Sequence, residues 1–151
     1  MRRLLRGVLV LLVCAVAVGA RAEDLLMARS HAQFEESMAA LQQAIGAQGY
    51  TLSRVQRVDI GLTASGFTTD KYRVVFFGKP AEIRALSADH PDLIPYLPLQ
   101  IAIFAEGDET LLIAANPVHL TAAYTDPELG AVFARWEQDL RAILDAVRQA
   151  E

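Results

Sequence analysis

Two stretches of this chain are apolar at almost every position. Residues 72–80 read Tyr-Arg-Val-Val-Phe-Phe-Gly-Lys-Pro, and residues 97–104 read Leu-Pro-Leu-Gln-Ile-Ala-Ile-Phe. A strand with one wet face alternates apolar with polar residues, so these two are expected to be strands covered on both faces. The same holds for residues 110–115, where Leu111 and Ile113 alternate with Leu112 and Ala114.

Elsewhere the period changes to that of helices. Phe34, Met38, Leu41 and Ile45 repeat every three or four residues and predict an amphipathic helix. Ser30 with Gln33 reads as its capping box, and Gly46 and Gly49 as its end. A second periodic run, Leu129, Phe133, Trp136, Leu140, Ile143 or Leu144, and Val147, follows an Asp126-Pro127 start and predicts a long closing helix. Residues 25–29 predict a short first strand. Residues 50–62 predict a strand interrupted by a bulge or a loss of pairing, because Val55 breaks the parity of Tyr50, Leu52, Val58 and Ile60. Residues 63–70, rich in Gly, Thr and Ser, predict a loop. Pro80 opens a short helix over residues 81–88, residues 92–97 form a turn, and residues 106–109 a hairpin turn.

The resulting order is strand, helix, four strands with a helical insert, and a long helix: an α+β domain, β-α-β(4)-α, with two long helices on one face of an antiparallel sheet. Two helices cover one face only. The other face, apolar as well, is expected to meet a partner or enclose a ligand, and a second copy across a two-fold axis is the simplest partner.

Composition adds an address. Residues 1–22 combine Arg2, Arg3 and Arg6, an apolar run and Ala20-Arg21-Ala22, the pattern of a secretory signal peptide. The run is shorter than the ~20 apolar residues of a spanning helix. Val13 before Cys14 argues against a lipoprotein. Residues 23–151 then form a single domain in the periplasm or outside the cell. The leader holds four of the 14 Lys and Arg and none of the 18 acids, so the remainder carries 10 against 18, a net charge of −8. An acidic chain without a basic cluster argues against nucleic acid and anionic membranes. It also lacks cysteine, which excludes disulfides, thiol catalysis and thiolate metal sites.

The residues Ser30 with Phe34-Glu35-Glu36, Gly49-Tyr50, Asp59-Ile60, Tyr72-Arg73, Gly78-Lys79-Pro80, Leu97-Pro98 and Asn116-Pro117 resemble, in this order, the family catalogued as domain of unknown function 302. The resemblance spans residues 23–149 and implies a fold like that of TATA-binding-protein domains, a homodimer, and no established activity. Many relatives carry cysteine where this chain has Gly78 and Leu99, so no thiol or soft-metal role carries over. The chain resembles an exported, cysteine-free branch.

The candidate chemistry is sparse. His90 with Ser87 and Asp89 sits too close in sequence to face one another as a triad. His31 and His119 with Met27 or Met38 would suit copper, without any supporting spacing. Asp59, Tyr72 and Arg73 group near the apolar strands and, with Phe76, Phe77 and Phe104, are expected to line a ligand site as a polar lip on an apolar cavity. The expected function is binding of an apolar small molecule or protein partner by a homodimer, without catalysis, cofactor, nucleic acid or a stable membrane anchor. A metal or haem handling protein using His and Met, and a small hydrolase using His90 or His119, stay open as alternatives.

Overall fold

The computed structural model describes residues 23–150. The signal-peptide expectation for residues 1–22 lies outside the described residues. Five strands form one antiparallel sheet in the order β1-β5-β4-β3-β2. They are β1 (Leu25–Ser30), β2 (Thr51–Arg57), β3 (Tyr72–Gly78), β4 (Leu99–Glu106) and β5 (Glu109–Ala115). Both strands that are apolar throughout, β3 and β4, are interior. Helix α1 (Phe34–Ala47) follows β1, α2 (Val58–Ala64) follows β2, α3 (Pro80–Asp89) follows β3, and α4 (Pro127–Gln149) closes the chain. Short 3-10 helices, Pro91–Tyr96 and Pro117–Ala122, lead into β4 and out of β5. The fold is the expected α+β arrangement with one helix more.

Helices α1 and α4 bury their periodic stripes against one sheet face. Leu26, Val75, Phe77, Ile101, Ile103 and Leu112 on that face are at most 1% exposed and meet Leu41, Ile45, Leu140 and Ile143 from the helices. Each such side chain contributes about 1.5–3 kcal/mol on leaving water. The opposite face is open. Its rows run across the strands: Arg29, Leu111, Phe104 and Tyr72; then Met27, Ile113, Ala102, Val74 and Gln56; then Leu25 beside Ala115, and Gln100 beside Phe76 and Arg54. Leu25 and Met27 on it are 49% and 55% exposed.

A smaller core of Leu93, Leu129, Phe133 and Trp136 lies under the two 3-10 helices. The N-terminal half of α4 thus belongs to a different cluster from its C-terminal half.

Three local expectations differ. Ser30 is not the cap of α1: it ends β1, its Oγ accepts from the Ala32 amide at 3.2 Å and bonds Ser37 Oγ at 3.1 Å, and Gln33 stands at the cap without a side-chain bond. Pairing of Ser30 with Thr110 continues the strand through the position the capping box required. Residues 50–62 are not one strand, because β2 ends at Arg57 and Val58–Ala64 coils into α2. The expected irregularity is present as well, a register shift between Leu52 and Arg54. The loop accordingly begins after Ala64. The end of α1 is set by Gly49 alone, at φ +75°, with the Gly49 amide donating to Gly46 O and the Tyr50 amide to Ile45 O; Gly46 lies within the helix.

Candidate functional site

Prolines govern the segments that end the sheet. Pro91 and Pro95 hold Pro91–Tyr96 in a 3-10 coil whose Leu93 is fully buried, and Pro117 starts the coil after β5. The Tyr124 hydroxyl donates to the Asp92 carbonyl at 2.9 Å and ties the two coils together. Tyr96, Tyr124, Phe133 and Trp136 then follow ring against ring, at centroid separations of 6.3, 5.9 and 5.7 Å. Aromatic rings meet edge to face at such spacings because their quadrupoles oppose stacking.

Asn116 fixes the other wall. Its Oδ1 accepts from the Val118 amide at 3.1 Å, while Nδ2 donates to the Glu23 carbonyl and to Glu137 at 2.9 and 3.0 Å. It is 3% exposed and its amide is fully used. His119 Nε2 lies 3.0 Å from the Glu23 carbonyl and 3.3 Å from Asp24, so the tautomer with hydrogen on Nε2 donates there.

Between these walls, at the end of the sheet where β4 begins and β5 ends, is a half-open cleft of about 410 Å³. Phe76, Tyr96 and Trp136, with Pro95, Pro98 and Pro117, supply much of its lining. Leu97, Leu99, Leu120 and Leu140 add aliphatic surface, and Gln100, Asn116, His119 and Asp24 the polar groups. Among the described residues no lysine or arginine lines it. A volume of this size, apolar with few polar groups, fits a small molecule. The Gln100 amide makes no side-chain hydrogen bond within the chain among the described residues, and it is exposed. Trp136 Nε1 donates to Glu82 at 3.2 Å, and Glu82 is paired with Arg135, so the indole is held from behind by α3.

The six residues expected to line one ligand site stand on two faces. Asp59 opens α2 and pairs with Arg73, which points to the helix-covered face, 5.7 Å above the Phe34 ring. That pairing, with the Ile60 amide, holds the Asp59 carboxyl below the usual range against the opposing effect of burial. Phe77 is wholly buried on the same face, edge-on to Tyr50 at 5.4 Å. Tyr72 and Phe104 meet edge-on at 6.0 Å on the open face. Phe76 shares that face and is the one member that lines the cleft. The remaining lining comes from separated segments. The prolines and Asn116 were visible as punctuation, and Trp136 as one member of a helical stripe; nothing in their spacing joins them.

The other candidates disperse. His31 pairs with Glu109 at 2.8 Å, at the opposite end of β1 from His119, and Met38 is in the core of α1 while Met27 faces outward. Among the described residues no group of three or more His, Cys, Asp or Glu is placed to hold a metal. Ser87, Asp89 and His90 lie at the end of α3, where the His90 amide donates to Leu86 O. A polar recess of about 320 Å³ at the far end of the sheet is bounded by Glu35, Asp70, Lys71, Asp108 and Glu109, with Lys71 paired to Glu35 at 2.7 Å. Among the described residues no helix is long and apolar enough to cross a membrane.

Leu99 lines the apolar cleft, and Gly78 lies behind its Pro98 wall. A Cβ on Gly78 would run into the end of Ile83 and lie 3.6 Å from Pro98, so α3 packs where a side chain would stand.

The crystal structure of an uncharacterised conserved DUF302 protein from Bacillus stearothermophilus is similar over 84% of this chain and 100% of its own, with 20% identity and a TM-score of 0.75. That likeness concerns the fold. Among proteins with curated descriptions none matches the chain. The model of the family described as domain of unknown function DUF302 matches residues 27–147, most of the described chain, and the chain therefore belongs to that family.

Proposed function

We propose that this protein is a binding module, without catalytic chemistry, that takes a small, neutral, largely apolar molecule into the cleft at the end of its sheet. The observation that carries the reading is the cleft's lining: three aromatic and three proline side chains around about 410 Å³, with no lysine or arginine among the described residues to offset an anion. Flat rings gain most from such walls, and the unused Gln100 amide supplies an NH2 with two donor hydrogens and a carbonyl acceptor for orientation. The protein works outside the cytoplasm, in keeping with the basic and apolar pattern of residues 1–22, and as a homodimer through the open sheet face.

Trp136 provides the test, because it is the one tryptophan of the chain and it lines the cleft. Titration with N-phenyl-1-naphthylamine, a neutral flat aromatic probe, is expected to quench Trp136 emission saturably while probe emission rises. Replacing Gln100 and Phe76 by alanine together is expected to weaken that response at least tenfold. Unsaturable quenching, or a response that survives both substitutions, would refute the cleft as the site.

A further inference from the structure

Charge on the open face is confined to two diagonally opposite corners. Arg29, Glu106 and Glu109 occupy one, with His31 against Glu109. Arg54 occupies the other, where its guanidinium bonds Gln56 and no carboxylate, among the described residues. Between the corners lie Phe104, Ile113, Ala102 and Val74. An apolar centre with a charged rim is the anatomy of a protein interface. The half-exposed Leu25 and Met27 add apolar surface on the edge strand β1, a position where exposed hydrophobic side chains are a liability unless covered.

We propose that a second copy of this chain lies across the open face on a two-fold axis running along the other diagonal, and that β1 of each copy closes the cleft of its partner. The proposal rests on the cleft being a binding site. This axis exchanges the charged corners and sets Arg54 against the partner's Glu106 and Glu109. It crosses the two sets of strands near a right angle, one of the two usual ways in which sheets pack face to face. The same rotation leaves the partner's Leu25 close to the axis, against its own copy, and carries the partner's Met27 to the start of β4 beside Ala115 and Gln100, which stand both on the open face and in the cleft wall. Met27, 55% exposed in a single copy, therefore becomes the roof of the partner's half-open cleft.

The area is sufficient. Five strands about 4.8 Å apart and about six residues long at ~3.3 Å per residue give a footprint near 24 by 20 Å, roughly 500 Å² per copy before side-chain relief. Two such faces reach about 1,000 Å², the threshold of a specific interface. Because ligand and partner touch the same Ala115 and Gln100, filling the cleft strengthens the dimer and dimerisation strengthens the filling by the same factor.

Sedimentation velocity and Trp136 fluorescence with N-phenyl-1-naphthylamine, run on the same dilution series of the mature protein, test this. The expected result is a dimer at micromolar concentration, probe affinity that falls at least tenfold as dilution dissociates it, and saturating probe that lowers the dimer dissociation constant by that factor. Met27→Asp, remote from its own cleft, is expected to give a folded monomer that has lost tight probe binding. Arg54→Glu and Glu106→Arg each weaken the dimer at least tenfold, and combining them in one chain restores it. A dimer indifferent to Met27→Asp and to either charge reversal would overturn the interface, as would a monomer at every concentration. Tight probe binding that ignores oligomeric state would overturn the roof while leaving the cleft standing. A dimer that obeys the charge swap but never quenches Trp136 would refute the cleft and the roof with it.

Discussion

Phe76 and Phe77 are adjacent in sequence and face opposite ways, so the same substitution separates core from surface. Phe77 is fully buried between the sheet and α1, with Tyr50 edge-on to it. Phe77→Ala removes a complete aromatic side chain from a packed core and is expected to cost about 3–5 kcal/mol. That is a large part of the ~5–15 kcal/mol that holds an ordinary domain together. With a urea slope near 2 kcal/mol/M, the unfolding midpoint should fall by about 1.5–2.5 M. Phe76 is only half-buried, on the open face beside Gln100. Phe76→Ala is expected to cost less than about 1.5 kcal/mol, a midpoint shift below ~0.8 M, while the cleft loses its ring. The assay is urea unfolding followed by far-ultraviolet circular dichroism, with all variants at one protein concentration. Equal shifts for the two variants, or a larger one for Phe76→Ala, would refute the assignment of faces.

Three further expectations concern individual contacts. Burial, and then the 2.6 Å hydrogen bond to Asp139, push the Tyr50 hydroxyl well above the usual phenol range. Its contribution to stability is thus complete below pH ~10 and is lost as pH rises toward the folded-state value; urea midpoints at pH 8.5 and 11 should diverge less in Tyr50→Phe than in the parent. Asp59, held below the ordinary carboxyl range by Arg73, contributes above pH ~3.9 and ceases to as pH falls through its lower folded value, so acid unfolding curves of Asp59→Asn and the parent should converge at low pH. Gly78→Ala drives a Cβ into Ile83, whose Cγ1 would lie at 3.2 Å, and should destabilise by about 1–3 kcal/mol. Combining it with Ile83→Val should recover part of that loss, and strict additivity of the two changes would show that they do not touch.

The sheet was legible because β3, β4 and β5 are apolar on both parities, a pattern that only interior strands with two covered or coverable faces produce. Helices α1 and α4 were legible from stripes that the core enforces at Phe34, Met38 and Leu41 and at Phe133, Leu140 and Ile143. Helix α2 was not, since none of its residues is buried and burial is what imprints a helical period. Val58 and Ile60 fit the parity of a strand equally well. Ser30 carried a local capping signal that pairing with Thr110 outweighed. The site was the least legible part. Its walls are drawn from Asp24, Phe76, residues 95–100, residues 115–120 and α4, and only the packing of Leu93 and Phe133 beneath the two 3-10 helices brings them together. Asp59 and Arg73, dense in charge along the sequence, neutralise one another on the covered face.

Native mass spectrometry of the protein purified from its own host bears most directly on the claim that the cleft and the open face work as one binding unit. The expected result is a dimer of the chain carrying an additional small mass, at most one per cleft, released with mild activation and absent from the Phe76→Ala, Gln100→Ala variant. A bare monomer, or a dimer whose extra mass survives in that variant, would contradict it.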